Sequence, residues 1–229
     1  MRALAVLIAI ALLAFLGLRH LERTRPQDLP WTPLDLTAPI GMATRMKLER
    51  LAQDPALCTA LLAQAGIETG AVADRRDGPR CGYTSARVLR RSTIAYSPQP
   101  LRLTCPMVAA LAVWERRVVR PQAKLLLGSE VARIDHFGSY SCRRISGRDS
   151  GSWSEHSTAN ALDVAAFNLA DGREVSVLRD WPKSGPEAAF LRAAHDGACK
   201  VFGTTLGPEY NAAHGNHFHM DMKPWAACR

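Results

Sequence analysis

Residues 3–18 read ALAVLIAIALLAFLGL, sixteen positions without a charge or a polar side chain. A helix of this composition has no stable place on the surface of a water-soluble domain. Its length fits the apolar core of an export signal, or a short membrane span helped by its flanks. The A-x-A triplets at residues 3–5 and 9–11 both lie inside the run, so no cleavage site is evident after it. The expectation is an uncleaved N-terminal anchor over residues 1–18, with export after signal cleavage as the alternative. Arg19, Arg23 and Arg25 follow the run while only Arg2 precedes it, and the positive-inside rule alone would place that larger cluster in the cytoplasm.

The cysteines point the other way. There are six, Cys58, Cys81, Cys105, Cys142, Cys199 and Cys228, and no two form a C-x-x-C pair of the zinc-ribbon or thioredoxin kind. An even number, widely spaced behind an export-like segment, predicts disulfides in an oxidising compartment; six buried thiols are the alternative. Fifteen pairings are possible and spacing does not choose among them. The body of the chain is therefore expected on the non-cytoplasmic side of the membrane. Its formal net charge of +8 favours anionic partners such as lipid headgroups or acidic wall polymers. The basic residues are scattered and carry no aromatic-plus-basic reader motif, so nucleic acid is not an expected partner.

Residues 19–45 hold Pro26, Pro30, Pro33 and Pro39 with little periodicity, which predicts a linker. Residues 46–229 form the domain. Residues 46–65 predict a helix or a pair of helices broken near Pro55, and 74–79 (DRRDGP) a loop. Residues 105–119 begin with Pro106 near the start and carry Arg116 and Arg117 near the end, as a helix should, with Pro121 stopping it. Strands are expected over 131–141, 161–169 and 174–178, the last two joined by an Asp171-Gly172 turn. A further helix is expected over 186–202 despite Gly197, then a short strand over 217–222. Helices first and an antiparallel sheet later give an α+β fold, a small antiparallel sheet flanked by helices.

The 217–222 strand (HFHMDM) puts His217, His219 and Asp221 on one face and Phe218, Met220 and Met222 on the other. Upstream, SEHSTANALD places His156 seven residues before Asp163, an acid at the start of an apolar strand, where burial without a partner is costly. His156, Asp163 and one histidine of H-F-H supply two nitrogens and one oxygen. That is the ligand composition of a catalytic zinc site with its fourth position open.

With G-S-Y-S-C-R (138–143) and H-G-N-H-F-H (214–219) added, the pattern resembles the bacterial extensin-like C-terminal domain. More distantly it is similar to the zinc peptidases around lysostaphin, the D-Ala-D-Ala peptidases and the penicillin-insensitive murein endopeptidases. The resemblance implies Zn2+ held by His156, Asp163 and His219, with His217 donating to the developing oxyanion. It also implies Arg143 near the substrate carboxylate or scissile carbonyl. Many relatives carry an acidic base three positions before the last ligand; Asn216 stands there, and His214 is the candidate to replace it. Ala159 stands where the peptidase pattern has glycine. The expected function is a zinc peptidase acting on peptidoglycan peptide stems or cross-links at the periplasmic side of the inner membrane. The alternative is a non-catalytic wall-binding module that retains the metal.

Overall fold

The computed structural model describes residues 2–147, 149–224 and 227–229. The apolar run becomes helix α1 (Arg2–Thr24), none of whose residues is buried, and which is long and apolar enough to cross a membrane. The proline-rich stretch after it is not a free linker. Gln27 and Leu36 are buried, and the buried Lys47 reaches back to donate from Nζ to the Pro26 carbonyl (2.9 Å), Gln27 Oε1 (3.3 Å) and Thr32 Oγ1 (2.9 Å). An ammonium out of water must find such acceptors, and these three hold residues 26–32 down as a strap. Gly41 allows the return of the strap, since a Cβ there would lie 2.3 Å from the Gln27 carbonyl carbon.

Helix α2 (Thr44–Arg50) and helix α3 (Pro55–Gln64) are separated at Pro55, and Asp54 caps α3 by accepting from the Leu57 amide at 2.9 Å. Strand β1 (Glu68–Ala71) pairs antiparallel with β4 (Arg87–Arg91), which pairs with β6 (Leu101–Leu103). Between β1 and β4, strands β2 (Arg75–Gly78) and β3 (Cys81–Tyr83) form a hairpin where the sequence predicts only loop. The exposed RRDG strand has no apolar alternation to announce it, and the Cys81–Cys142 disulfide holds the hairpin to the body.

The core is centred on α4 (Cys105–Trp114), all ten residues of which are buried. It does not stop at Pro121. A π turn over Glu115–Val119 carries it into α5 (Arg120–Leu127), with the Arg120 amide donating to the Glu115 carbonyl. The wider turn shifts the hydrogen-bond register at the point where proline lacks a donor, so the helix continues and ends at Gly128 in the left-handed conformation. Gly197, inside helix α7 (Pro186–Ala198), packs on this turn: a Cβ there would meet Val118 Cγ1 at 2.3 Å.

The large sheet contains β5 (Ala95–Ser97), β7 (Val131–His136), β8 (Ala161–Leu169), β9 (Glu174–Ser176), β10 (Thr204–Leu206), β11 (Phe218–Asp221) and β12 (Ala227–Cys228). Its order is β12-β10-β11-β8-β7-β5, with β9 also on β8. The central pairings are antiparallel, while β5 on β7 and β12 on β10 are parallel at the edges. The expected hairpin turns at Gly172, but its second strand ends at Ser176, where α6 (Val177–Asp180) begins and Asp180 accepts from the Ser176 amide. The cysteines pair as Cys58–Cys105, Cys81–Cys142 and Cys199–Cys228. The α+β expectation and the antiparallel centre of the sheet hold.

Candidate metal centre

Strand alternation builds most of the site. On β11, Phe218 and Met220 are fully buried in the core, so His219 and Asp221 face the other way. The β8–β11 register sets His219 directly opposite Asp163. His156 arrives from a short 3-10 turn, Glu155–Thr158, whose preceding Ser154 accepts from the His156 amide at 3.3 Å. The turn ends at Ala159, with φ 56° and ψ 26°. This left-handed conformation costs a residue with a Cβ roughly 1 kcal/mol. A glycine would adopt it without that cost.

His156 Nε2, His219 Nδ1 and Asp163 Oδ1 converge: the two nitrogens lie 3.1 and 2.9 Å from the oxygen and 3.2 Å from each other. The outer nitrogens settle what these atoms can offer. His156 Nδ1 lies 2.6 Å from the Ser139 carbonyl, and His219 Nε2 lies 3.0 Å from Asp221 Oδ2. Each outer nitrogen must donate to its acceptor, which leaves a lone pair on each inner nitrogen in the neutral rings. Three acceptors then face one another, so a cation or a proton has to sit among them. Tetrahedral zinc with bonds of 2.0–2.1 Å sets its ligand atoms about 3.3 Å apart, and a carbonyl or carboxylate behind each histidine is the usual support. His156, Asp163 and His219 fit a metal of this kind.

A second group, His195, Cys199 and Cys228, also brings its donor atoms within 4.8 Å of one another. Its two sulfurs are joined in a disulfide and offer no thiolate.

Burial alone would raise Asp163. Its contacts with His156 and His219 instead hold it well below the usual carboxylate range. Burial likewise opposes charge on His219, yet its bonds to Asp163 and Asp221 outweigh this and lift it to about 9. Without metal, a proton on His219 Nδ1 fills the gap.

Around this centre stand the other residues singled out by the sequence. Arg143 Nη2 lies 3.8 Å from Asp163 Oδ2, with its side chain 42% exposed. His217 Nε2 lies 3.6 Å from Asp163 Oδ1, its ring lies against Phe137, and its Nδ1 is 2.8 Å from Asn216 Oδ1. Burial lowers His217 from its ordinary value. His214 stacks 5.2 Å from the His217 ring and bonds Asn211 Oδ1; burial and the neighbouring histidines lower it to about 4. Sequence reasoning gave no role to Ser139 or Asp221. H-x-H-x-D on one strand face was a signal for Asp221, whereas a backbone carbonyl such as that of Ser139 leaves none.

A family model described as "Extensin-like protein C-terminus" matches residues 56–229. No curated protein and no solved structure matches the chain.

Proposed function

The chain belongs to the extensin-like C-terminal family, and from that premise and the geometry above we propose that it is a zinc-dependent peptidase of peptidoglycan peptides, anchored at the periplasmic face of the inner membrane by α1. The observation that carries this reading is the set of three inward-facing acceptors with Arg143 and His217 beside it. Zinc bound there would activate a water and polarise a peptide carbonyl. His156, Asp163 and His219 would hold the ion, while Ser139 and Asp221 aim the two rings. The half-exposed Arg143 offers a fork of donors to a substrate carbonyl or carboxylate. With Nδ1–H donating to Asn216, His217 presents an unprotonated Nε2 to the site. That makes it a proton acceptor in its neutral form, in place of the oxyanion donor that the resemblance implies. His214, neutral at pH 7, is a second acceptor beside it. The net charge of +8 suits an anionic wall polymer.

Asn216 favours a second reading, a wall-binding module that keeps the metal without the chemistry. Elemental analysis for zinc, combined with incubation on purified sacculi, separates the two. Stoichiometric zinc with muropeptide release, both lost in His156→Ala and Asp163→Ala, supports the peptidase. Zinc with sacculus binding but no release supports the module, and protein without metal sinks both.

A further inference from the structure

We propose that the domain lies directly against the lipid leaflet from which α1 emerges, with Trp31 seated among anionic phospholipid headgroups and no flexible tether between span and domain. This rests on reading α1 as a membrane span. Twenty-three residues at 1.5 Å each make α1 about 35 Å long, against about 30 Å of hydrocarbon. Its last turn therefore stands in the headgroup layer. Glu22 lies one turn beyond Leu18, where the apolar run ends, about 6 Å farther along the axis. Trp31 donates from Nε1 to Glu22 Oε1 at 3.1 Å, and its side of the strap is open: Trp31 is 59% exposed. A tryptophan at this height, with an apolar ring and one donor, is a typical interfacial anchor.

The junction is short, with only Arg25 (φ −136°, ψ 54°) between α1 and the next turn. The Arg25 amide still bonds the Leu21 carbonyl at 2.8 Å, and a 3-10 turn over Pro26–Asp28 follows at once. The strap is then locked to the body by Lys47, by the Ala43 amide on the Gln27 carbonyl, and by Arg50 on the Pro30 carbonyl. Met42, 86% exposed, is fixed beside this turn by its amide bond to Asp28. Exposed Arg19, Arg23 and Arg25 ring the same end of α1. Their place beyond the span runs against the positive-inside rule, and contact with anionic headgroups gives them a role there.

The test uses the full chain in vesicles of phosphatidylethanolamine and phosphatidylglycerol, part of it brominated near the headgroup end of the acyl chains. The chain has five tryptophans, so subtracting Trp31→Phe isolates the Trp31 emission. We expect brominated lipid to remove roughly half of that emission, as for an interfacial indole. Inserting about twelve Gly-Ser residues between Arg25 and Pro26 adds about 20 Å of reach and should restore it. A chain that floats with the vesicles but shows no Trp31 quenching, or quenching unchanged by the insertion, overturns docking and leaves the anchor intact. A chain that fails to float overturns the anchor reading and docking with it.

Discussion

Loading metal-free protein with zinc at pH 7 should expel close to one proton. In the metal-free site His219 donates from both ring nitrogens, to Asp163 at 2.9 Å and to Asp221 at 3.0 Å, and these bonds lift it to about 9. At pH 7 only about one ring in a hundred is then neutral. Asp163 is already ionised, and His156 Nε2 faces the proton on His219 as an acceptor. A metal takes only a deprotonated ring, so the proton on His219 Nδ1 must leave. Apparent zinc affinity should rise about tenfold per pH unit between pH 7 and 9 and level off above. The same linkage acts on stability without metal. The folded value of His219 is raised from 6.5 to about 9, so its contribution is complete below 6.5 and lost as pH rises through 9. That contribution is on the order of 3 kcal/mol. Calorimetric zinc titration in buffers of different ionisation enthalpy counts the protons directly. Tight binding with no proton released at pH 7 would show that His219 was neutral before the metal arrived, and would refute this account.

Removing the charge behind His219 should weaken the metal in steps. Asp221→Asn keeps an oxygen for Nε2–H and should cost about tenfold in zinc affinity, Asp221→Ala about a hundredfold, by competition with a chromophoric chelator. Equal affinity in all three proteins would show that the carboxylate does not support the ring. Opening the Cys81–Cys142 bridge by a double alanine substitution frees a 61-residue loop and should cost up to about 4 kcal/mol in urea unfolding. It should also weaken zinc, because Ser139 and Arg143 flank Cys142; lost stability with unchanged affinity would separate the two. Glu115, fully buried, accepts from Ser92, Thr93, the Ile94 amide and Tyr96. Glu115→Gln turns a donor toward at least one of these donors and should cost about 2 kcal/mol in the same unfolding assay.

What the sequence reveals of the fold is what short stretches decide alone. Asp54 and Pro55 start α3, Pro106 starts α4, and Asp171-Gly172 turns β8 into β9, each by chemistry confined to a few residues. The elements it misreads are decided from a distance. Pro121 ends a helix by local rule, but here a π turn, packed against Gly197 from another helix, passes it by. The prolines at 26–39 look the same in a tether and in a strap. The difference lies in Lys47, whose ammonium reaches back to Pro26 and Thr32. The β2–β3 hairpin, whose first strand is polar and exposed throughout, is tied down by a cysteine 61 residues away.

The candidate site divides along the same line. His156, Asp163 and one histidine of H-F-H could be grouped from the residues because each is a side chain that chemistry singles out; the resemblance points to His219, and the β8–β11 register sets that histidine opposite Asp163. Spacing could not assign the protons. Those depend on which atom lies behind each ring, and for His156 that atom belongs to a backbone carbonyl that any residue supplies. Asn216 makes the point most sharply. From sequence it is the loss of an acidic base. In the structure its Oδ1 receives the Nδ1–H of His217 and so turns the Nε2 lone pair toward Asp163 and the ligand centre. An aspartate in that place would accept the same proton and also raise the basicity of the ring. The neutral amide aims His217 without doing so, which leaves an acceptor at the site that stays uncharged near neutral pH. On the proposed peptidase reading, Asn216 would therefore orient a base in place of being one.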